Sequence, residues 1–249
     1  MLRFRRIEGS VALVTGANRG IGRAITEALL QRDAEKVYAT ARDLKTLEVL
    51  QERYGSRLVS LRLDVTDSDQ VAEVARQATD VDLLFNNAGA FEPTELTNEA
   101  IVDVARREME VNYFGALRML RSFADTLAQR GGVIVNVGSA AGLTNVPLQP
   151  TYSASKAAQH SLTQASRALL AARGVTVHGV YPGPVDTDMT KQLPPQFEKT
   201  APEEVARKVL DGVEAGDEDI FPDQFAVAFG EQFHASPKSS ERQAAAVVG

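Results

Sequence analysis

Short apolar runs alternate with longer segments of helical period along almost the whole chain. The runs fall at Ser10–Thr15, Lys36–Ala41, Leu58–Leu63, Asp82–Asn86, Val133–Gly138 and Val175–Val180, with another around Ile220. Between them, segments near 21–32, 44–54, 68–78, 98–129 (in two pieces), 152–172 and 202–215 repeat apolar residues at helical spacing. Strands that are apolar throughout, rather than at every second position, belong to a sheet covered on both faces. The alternation therefore predicts an α/β fold: a single-domain, doubly wound parallel sheet of Rossmann-like type. It has about seven strands, helices on both faces and right-handed crossovers. A length of 249 residues with 44% hydrophobic content suits one such domain and its core. No internal repeat or interdomain linker interrupts the pattern. Residues 1–9 read as an N-terminal extension, 10–233 as the domain, and 234–249 as a flexible or partner-dependent tail.

Ligands of doubly wound sheets bind beyond the carboxyl ends of the strands, and the residues able to do chemistry gather there. In SVALVTGANRGIGRAITEALL a buried strand leads through a glycine turn into a helix from about Ile21. Gly16, Gly20 and Gly22 allow positive φ and close backbone approach to a phosphate. The helix that follows offers its free N–H groups to a pyrophosphate. The spacing is GxxxGxG, one variant away from the GxGxxG dinucleotide fingerprint. Alone, it would also suit any tight strand-to-helix connection.

The second feature is TYSASK. On a helix, Tyr152 and Lys156 lie one turn apart on the same face. A free phenol, with a pKa of about 10, is a poor acid and base near neutrality. Bringing it to about 7 takes roughly 4 kcal/mol, which one ammonium at ~4 Å supplies at an effective dielectric of ~20. Lys156 is thus expected to make Tyr152 a working general acid/base. By itself YxxxK equally fits a tyrosine packed at a helix start beside a solvated lysine. Ser139, upstream in VNVGSAAG, completes the trio.

TGANRGIG (Thr15 to Gly22), NNAG (Asn86 to Gly89), Asn112, Ser139, YSASK (Tyr152 to Lys156) and PGPVDT (Pro182 to Thr187) occur in this order. Together they resemble the short-chain dehydrogenase/reductase family from about Ser10 to Ile220. The resemblance implies a dinucleotide-binding oxidoreductase domain with catalysis by Asn112, Ser139, Tyr152 and Lys156. Ser139 would hydrogen-bond the substrate oxygen, Tyr152 exchange its proton, and Lys156 tune Tyr152 while holding the nicotinamide ribose. Asn112 would bind a water linking Lys156 to solvent. It further implies cofactor contacts at Gly16, Asn18, Arg19, Gly20, Ile21 and Gly22, and adenine binding at Asp64 and Val65. Asn87, Ala88 and Gly89 would approach the adenosine ribose, and Pro182, Gly183, Val185 and Thr187 would close over the nicotinamide.

Cofactor choice turns on charge. Where NAD-binding chains place an acid about 20 residues beyond the glycines, this chain has Arg42, with Arg19 inside the loop. An arginine fork grips a 2′-phosphate that an acid would repel. NADP(H) is therefore expected over NAD(H), with Asp43 next door as the opposing signal. The pattern resembles NADPH-dependent carbonyl reductases, and a ketone or aldehyde reductase is the leading expectation. The alternative is a 3-ketoacyl carrier-protein reductase, in which Arg130 and Arg173 fall where that subfamily docks its acidic carrier. A non-catalytic NADP(H) sensor is disfavoured because tyrosine and lysine are both present. The substrate pocket is expected from Ala90–Leu96, Ala140–Gln149 and a short lid after Thr187.

Composition narrows the partners. A net charge of −6 with scattered cations offers nothing to nucleic acid. No apolar run approaches the ~20 residues of a bilayer span, and MLRFRRIEGS lacks the apolar core of a secretory signal. Zero cysteines fit a reducing cytoplasm. His160, His178 and His234 are too irregularly spaced for a metal centre. The family resemblance also implies a homotetramer or homodimer. Its surface would be the helices at 109–129 and 152–172, with Phe114, Leu117, Leu120 and Phe123 on one face and Ala157, Ala158, Ser161 and Ala165 on the other.

Overall fold

The computed structural model describes residues 6–191 and 198–246. Its strands are β1 (Val11–Val14), β2 (Lys36–Ala41), β3 (Leu58–Arg62), β4 (Leu83–Asn86), β5 (Val133–Val137), β6 (Thr176–Val180) and β7 (Asp219–Ile220). They form one parallel sheet in the order β3-β2-β1-β4-β5-β6-β7. The chain starts near the middle, winds out to one edge, then returns to build the other, which leaves the switch point between β1 and β4. The helices are α1 (Gly20–Gln31), α2 (Glu48–Tyr54), α3 (Ser68–Gln77), α4 (Ile101–Met109), α5 (Ala116–Arg130), α6 (Pro150–Ala171), α7 (Pro202–Ala215), α8 (Gln224–Ala235) and α9 (Pro237–Ala245).

Period-2 geometry explains why β1 is apolar throughout. Ala12 and Val14 enter a core with Ile25, Leu29, Val205 and Val209, while Val11 and Leu13 enter a second core with Val74, Met119, Phe123 and Leu127. Each face of the sheet thus receives its own helices, as double winding requires. Phe123, assigned from sequence to an association face, is fully buried in that second core, and Leu120 packs against it. Phe114 remains exposed.

Two elements differ from the sequence expectation. The 98–129 region is one helical run in which the π-helical segment Glu110–Gly115 joins α4 to α5. The tail read from about residue 234 as flexible or partner-dependent carries α9, because Ser236 caps it by accepting from Ser239 N and Pro237 sits at its first turn. α8 precedes it, capped by Asp223 accepting from Ala226 N at 2.8 Å. At the other end, Ile7 of the N-terminal extension is fully buried and its N–H donates to Glu214 at 3.2 Å.

Candidate active site

A cleft of about 690 Å³ opens at the carboxyl ends of β1, β2, β4 and β5. Its floor is the turn after β1. Thr15 Oγ1 accepts from Asn87 N and from Ala88 N, both at 2.9 Å, and Asn87 Nδ2 donates to Thr15 O at 2.9 Å and to Gly16 O at 3.2 Å. This mesh locks the β1 and β4 ends together and leaves no room beside the turn: a Cβ on Gly22 would overlap Gly16 O and Asn87 Nδ2. Gly16 and Gly20 hold φ of 65° and 53°, where other residues are strained. α1 begins at Gly20 with no side-chain cap on its first N–H groups and no acid in its first turn. An uncapped helix start above a turn closed to side chains fits a pyrophosphate.

Gly16, Asn18, Arg19, Gly20, Ile21, Gly22, Arg42, Asp64, Val65, Asn87, Ala88, Gly89, Tyr152, Lys156 and Thr187 all line the cleft. Asp64 accepts through one oxygen from Thr66 N at 3.0 Å and Thr66 Oγ1 at 2.8 Å. At the arginines, Asp43 is turned aside, its carboxylate accepting from Lys45 N at 3.1 Å. Arg42 has no ion-pair partner among the described residues. Arg19 reaches across to Asp188 at 3.7 Å, a pair with both side chains at least half exposed.

The reactive end lies where β5 runs out. Ser139 follows β5 and stands near the Tyr152 phenol in the first turn of α6. Ser139 Oγ also accepts from Ala141 N at 3.2 Å. Lys156 is buried, with Nζ donating to Val137 O and to Gln159 Oε1, both at 2.9 Å. That Nζ stands 5.9 Å from the Tyr152 ring centre. Phe91 meets the Tyr152 ring edge-on, the centroids 5.2 Å apart.

Electrostatics here depart from the sequence expectation. Burial pushes Tyr152 up to about 12, against a partial lowering by Ser139 and a further raising by the Glu108 charge. Burial pushes Lys156 down to about 7. Both shifts run against the effect expected from pairing Tyr152 with Lys156, because burial dominates at each group.

Asn112 sits in the π-helical segment, fully buried. Its Oδ1 accepts from Ala90 N at 2.8 Å, and its Nδ2 donates to Ala90 O at 2.9 Å and Ser155 Oγ at 2.8 Å. Gly89 lies against both Asn112 Oδ1 and Lys156 Nζ. Of the expected nicotinamide segment, Thr187 is in the cleft, whereas Val185 is core and bridges to Thr200. Pro182 O accepts from Ala140 N at 3.0 Å, and Gly183 N donates to Asp223 at 2.8 Å. The short lid expected after Thr187 lies partly outside the described residues, at 192–197. Sequence reading missed Thr15, whose hydroxyl ties the β1 and β4 ends. Its only signal was a polar residue closing an apolar strand.

No group of three or more His, Cys, Asp or Glu able to hold a metal occurs among the described residues. No helix there is long and apolar enough to cross a membrane.

Residues 10–198 match the sequence model of the short chain dehydrogenases. The chain is 36% identical to the 3-oxoacyl-[acyl-carrier-protein] reductase of Vibrio cholerae, covering 75% of this chain and 78% of that one. It is 34% identical to the sorbitol dehydrogenase of Cereibacter sphaeroides, covering 73% and 72%. Among solved structures, a short chain dehydrogenase from Burkholderia cenocepacia in complex with NADP superposes with a TM-score of 0.90 at 39% identity, covering 96% and 99%. One from Burkholderia phymatum in complex with NAD does so at 0.82 and 26% identity, covering 94% and 96%.

Proposed function

The chain belongs to the short-chain dehydrogenase/reductase family and is an oxidoreductase, and from that premise we propose that it is an NADP(H)-dependent ketone or aldehyde reductase. The observation that carries this reading is that Tyr152 and Lys156 line the same cleft as Gly16, Gly20 and Gly22, with Ser139 near Tyr152.

When bound, the nicotinamide cofactor supplies or accepts the hydride. Ser139 donates to the substrate oxygen and holds the charge that gathers on it. Tyr152 gives its proton to that oxygen in reduction and takes it back in oxidation. Lys156, as the ammonium, favours the phenolate that Tyr152 leaves behind and binds the ribose hydroxyls. Asn112, which holds Ala90 and Ser155, would bind the water that links Lys156 to solvent. Asp64 and Val65 would meet the adenine, and Thr187 the carboxamide, with Pro182, Gly183 and Val185 backing the segment that carries it.

NADP(H) preference is supported by Arg42, whose fork is free of ion pairs among the described residues while Asp43 is occupied in its own turn. The NADP complex of the Burkholderia cenocepacia relative points the same way. Association into a homotetramer or homodimer is supported by α6. It buries Ser153, Ser155, Gln159 and Thr163 and turns Ala157, Ala165 and Leu169 outward. The absence of cysteine fits a cytoplasmic setting.

The second reading, a 3-ketoacyl carrier-protein reductase, draws on the Vibrio cholerae relative. Arg130 and Arg173 lend it no separate support: they bond Asp82 and Asp125 at 2.9 and 2.7 Å, at the amino ends of the strands, opposite the cleft. NADPH consumption with a simple diketone, with an acetoacetyl thioester and with neither separates the readings. Tyr152→Phe should abolish turnover while NADPH still binds. Near-normal turnover in that variant would overturn the mechanism.

A further inference from the structure

Glu108, on the last turn of α4, has no part in the mechanism above, yet it is a fully buried acid beside the site. Its Oε1 accepts from Glu92 N at 2.9 Å. Its Oε2 is buried without a hydrogen-bond partner, and so is Oγ1 of Thr151, the residue before Tyr152. Thr151 faces the Glu108 carboxyl. Four positions along the same helical run, Asn112 holds both N and O of Ala90. Glu108 and Asn112 therefore grip the main chain on either side of Phe91, the ring that stands edge-on to Tyr152. Arg107 adds an outer tie, its guanidinium forking onto the Glu92 carboxylate at 2.7 and 2.9 Å.

We propose that Glu108 is a positioning residue for Tyr152: with Asn112 it clamps Ala90–Glu92 so that Phe91 closes one side of the carbonyl site and fixes the phenol in place. This rests on Tyr152 being the proton donor of the proposed reaction. The clamp itself is the Glu92 N–H held by Glu108 Oε1, a contact that either protonation state can make. Burial pushes the carboxyl up, and the nearby Glu92 carboxylate does the same, while Glu92 N, Thr151 and Arg107 act in the opposite sense. The Glu108 charge raises Tyr152 and so opposes the phenolate that Tyr152 becomes. The groups facing this carboxyl are Glu92 and Arg107 on one side and Thr151 and Tyr152 on the other.

The test begins without cofactor or substrate. In protein carrying labelled tyrosine rings, the Tyr152 resonance is identified among the five tyrosines by its loss in Tyr152→Phe. Its ring-current displacement by Phe91 disappears in Phe91→Ala. Glu108→Ala should remove that displacement too, and Glu108→Gln, which keeps an acceptor for Glu92 N, should restore it. With NADPH and 2,3-butanedione, Glu108→Ala should raise KM about tenfold, the equivalent of one buried hydrogen bond, with a smaller loss in kcat, and Glu108→Gln should recover it. A Tyr152 resonance left at its parental position in Glu108→Ala would overturn the clamp, as would a Glu108→Gln variant no better than Glu108→Ala. A parent that reduces no carbonyl but shows the expected resonances would sink the proposed function and leave the clamp standing.

Discussion

The Lys156 ammonium donates to the main-chain oxygen of Val137, the last residue of β5, at 2.9 Å. α6 is thus moored to the strand whose end carries Ser139. The same burial pushes Lys156 down to about 7, so its proton is one that binding can shift near neutrality.

An anionic dinucleotide over Lys156 favours the ammonium. Above about pH 7 the free chain has lost the proton, and binding must restore it. NADPH binding should therefore take up a proton, and its affinity should fall as the pH climbs through that value. Calorimetry in buffers of different ionisation enthalpy measures the uptake, which should vanish in Lys156→Ala. The sign for stability is the opposite. Between about 7 and 10.5 the unfolded chain holds this proton and the folded chain does not, so the Lys156 contribution to stability rises with pH across that window.

Arg42 should decide the cofactor. A charge-assisted contact to the 2′-phosphate contributes about 1.5–3 kcal/mol, so Arg42→Ala should weaken NADPH by about tenfold to a hundredfold and leave NADH nearly unchanged. Arg42→Asp should go further and invert the preference, giving the ribose 2′-hydroxyl an acceptor. The ratio of kcat/KM for the two cofactors is the measurement. An unaltered ratio in Arg42→Asp would make these arginines surface charge.

Gly22→Ala tests the cradle separately from the chemistry. The added methyl meets Gly16 O and Asn87 Nδ2, neither of which can retreat without breaking the tie between β1 and β4. Overpacking of this kind costs about 1–3 kcal/mol. Thermal melting should show that loss, and fluorescence titration should show NADPH binding impaired with it. A variant that melts and binds like the parent would mean that the turn is looser than this geometry.

Much of this was legible in the sequence because the signals were local. The sheet followed from apolar runs, and the Tyr152–Lys156 pairing from helical spacing, since each depends on neighbours a few residues away. What escaped depends on distant partners. Lys156 was read as tuning Tyr152, but the carbonyl that holds it comes from Val137, on β5. Glu108 lies in the charged string ARREME and reads as solvated. Only the fold brings Glu92 N and Thr151 against it. α9 was hidden by its polar composition, and its start is set by Ser236 and Pro237 rather than by any apolar stripe.

The π-helical segment Glu110–Gly115 inserts a widened turn into what would otherwise be one regular helix. Its effect is rotational. Residues before it can point toward the Ala90–Glu92 loop, while Met119, Phe123 and Leu127 after it point into the core. A uniform helix would keep a single phase and could satisfy one of those neighbours only. Deleting one residue in this turn to make the backbone more regular would therefore twist the reactive end of the helix away from its loop, and a more ordinary helix would be the poorer part of this protein.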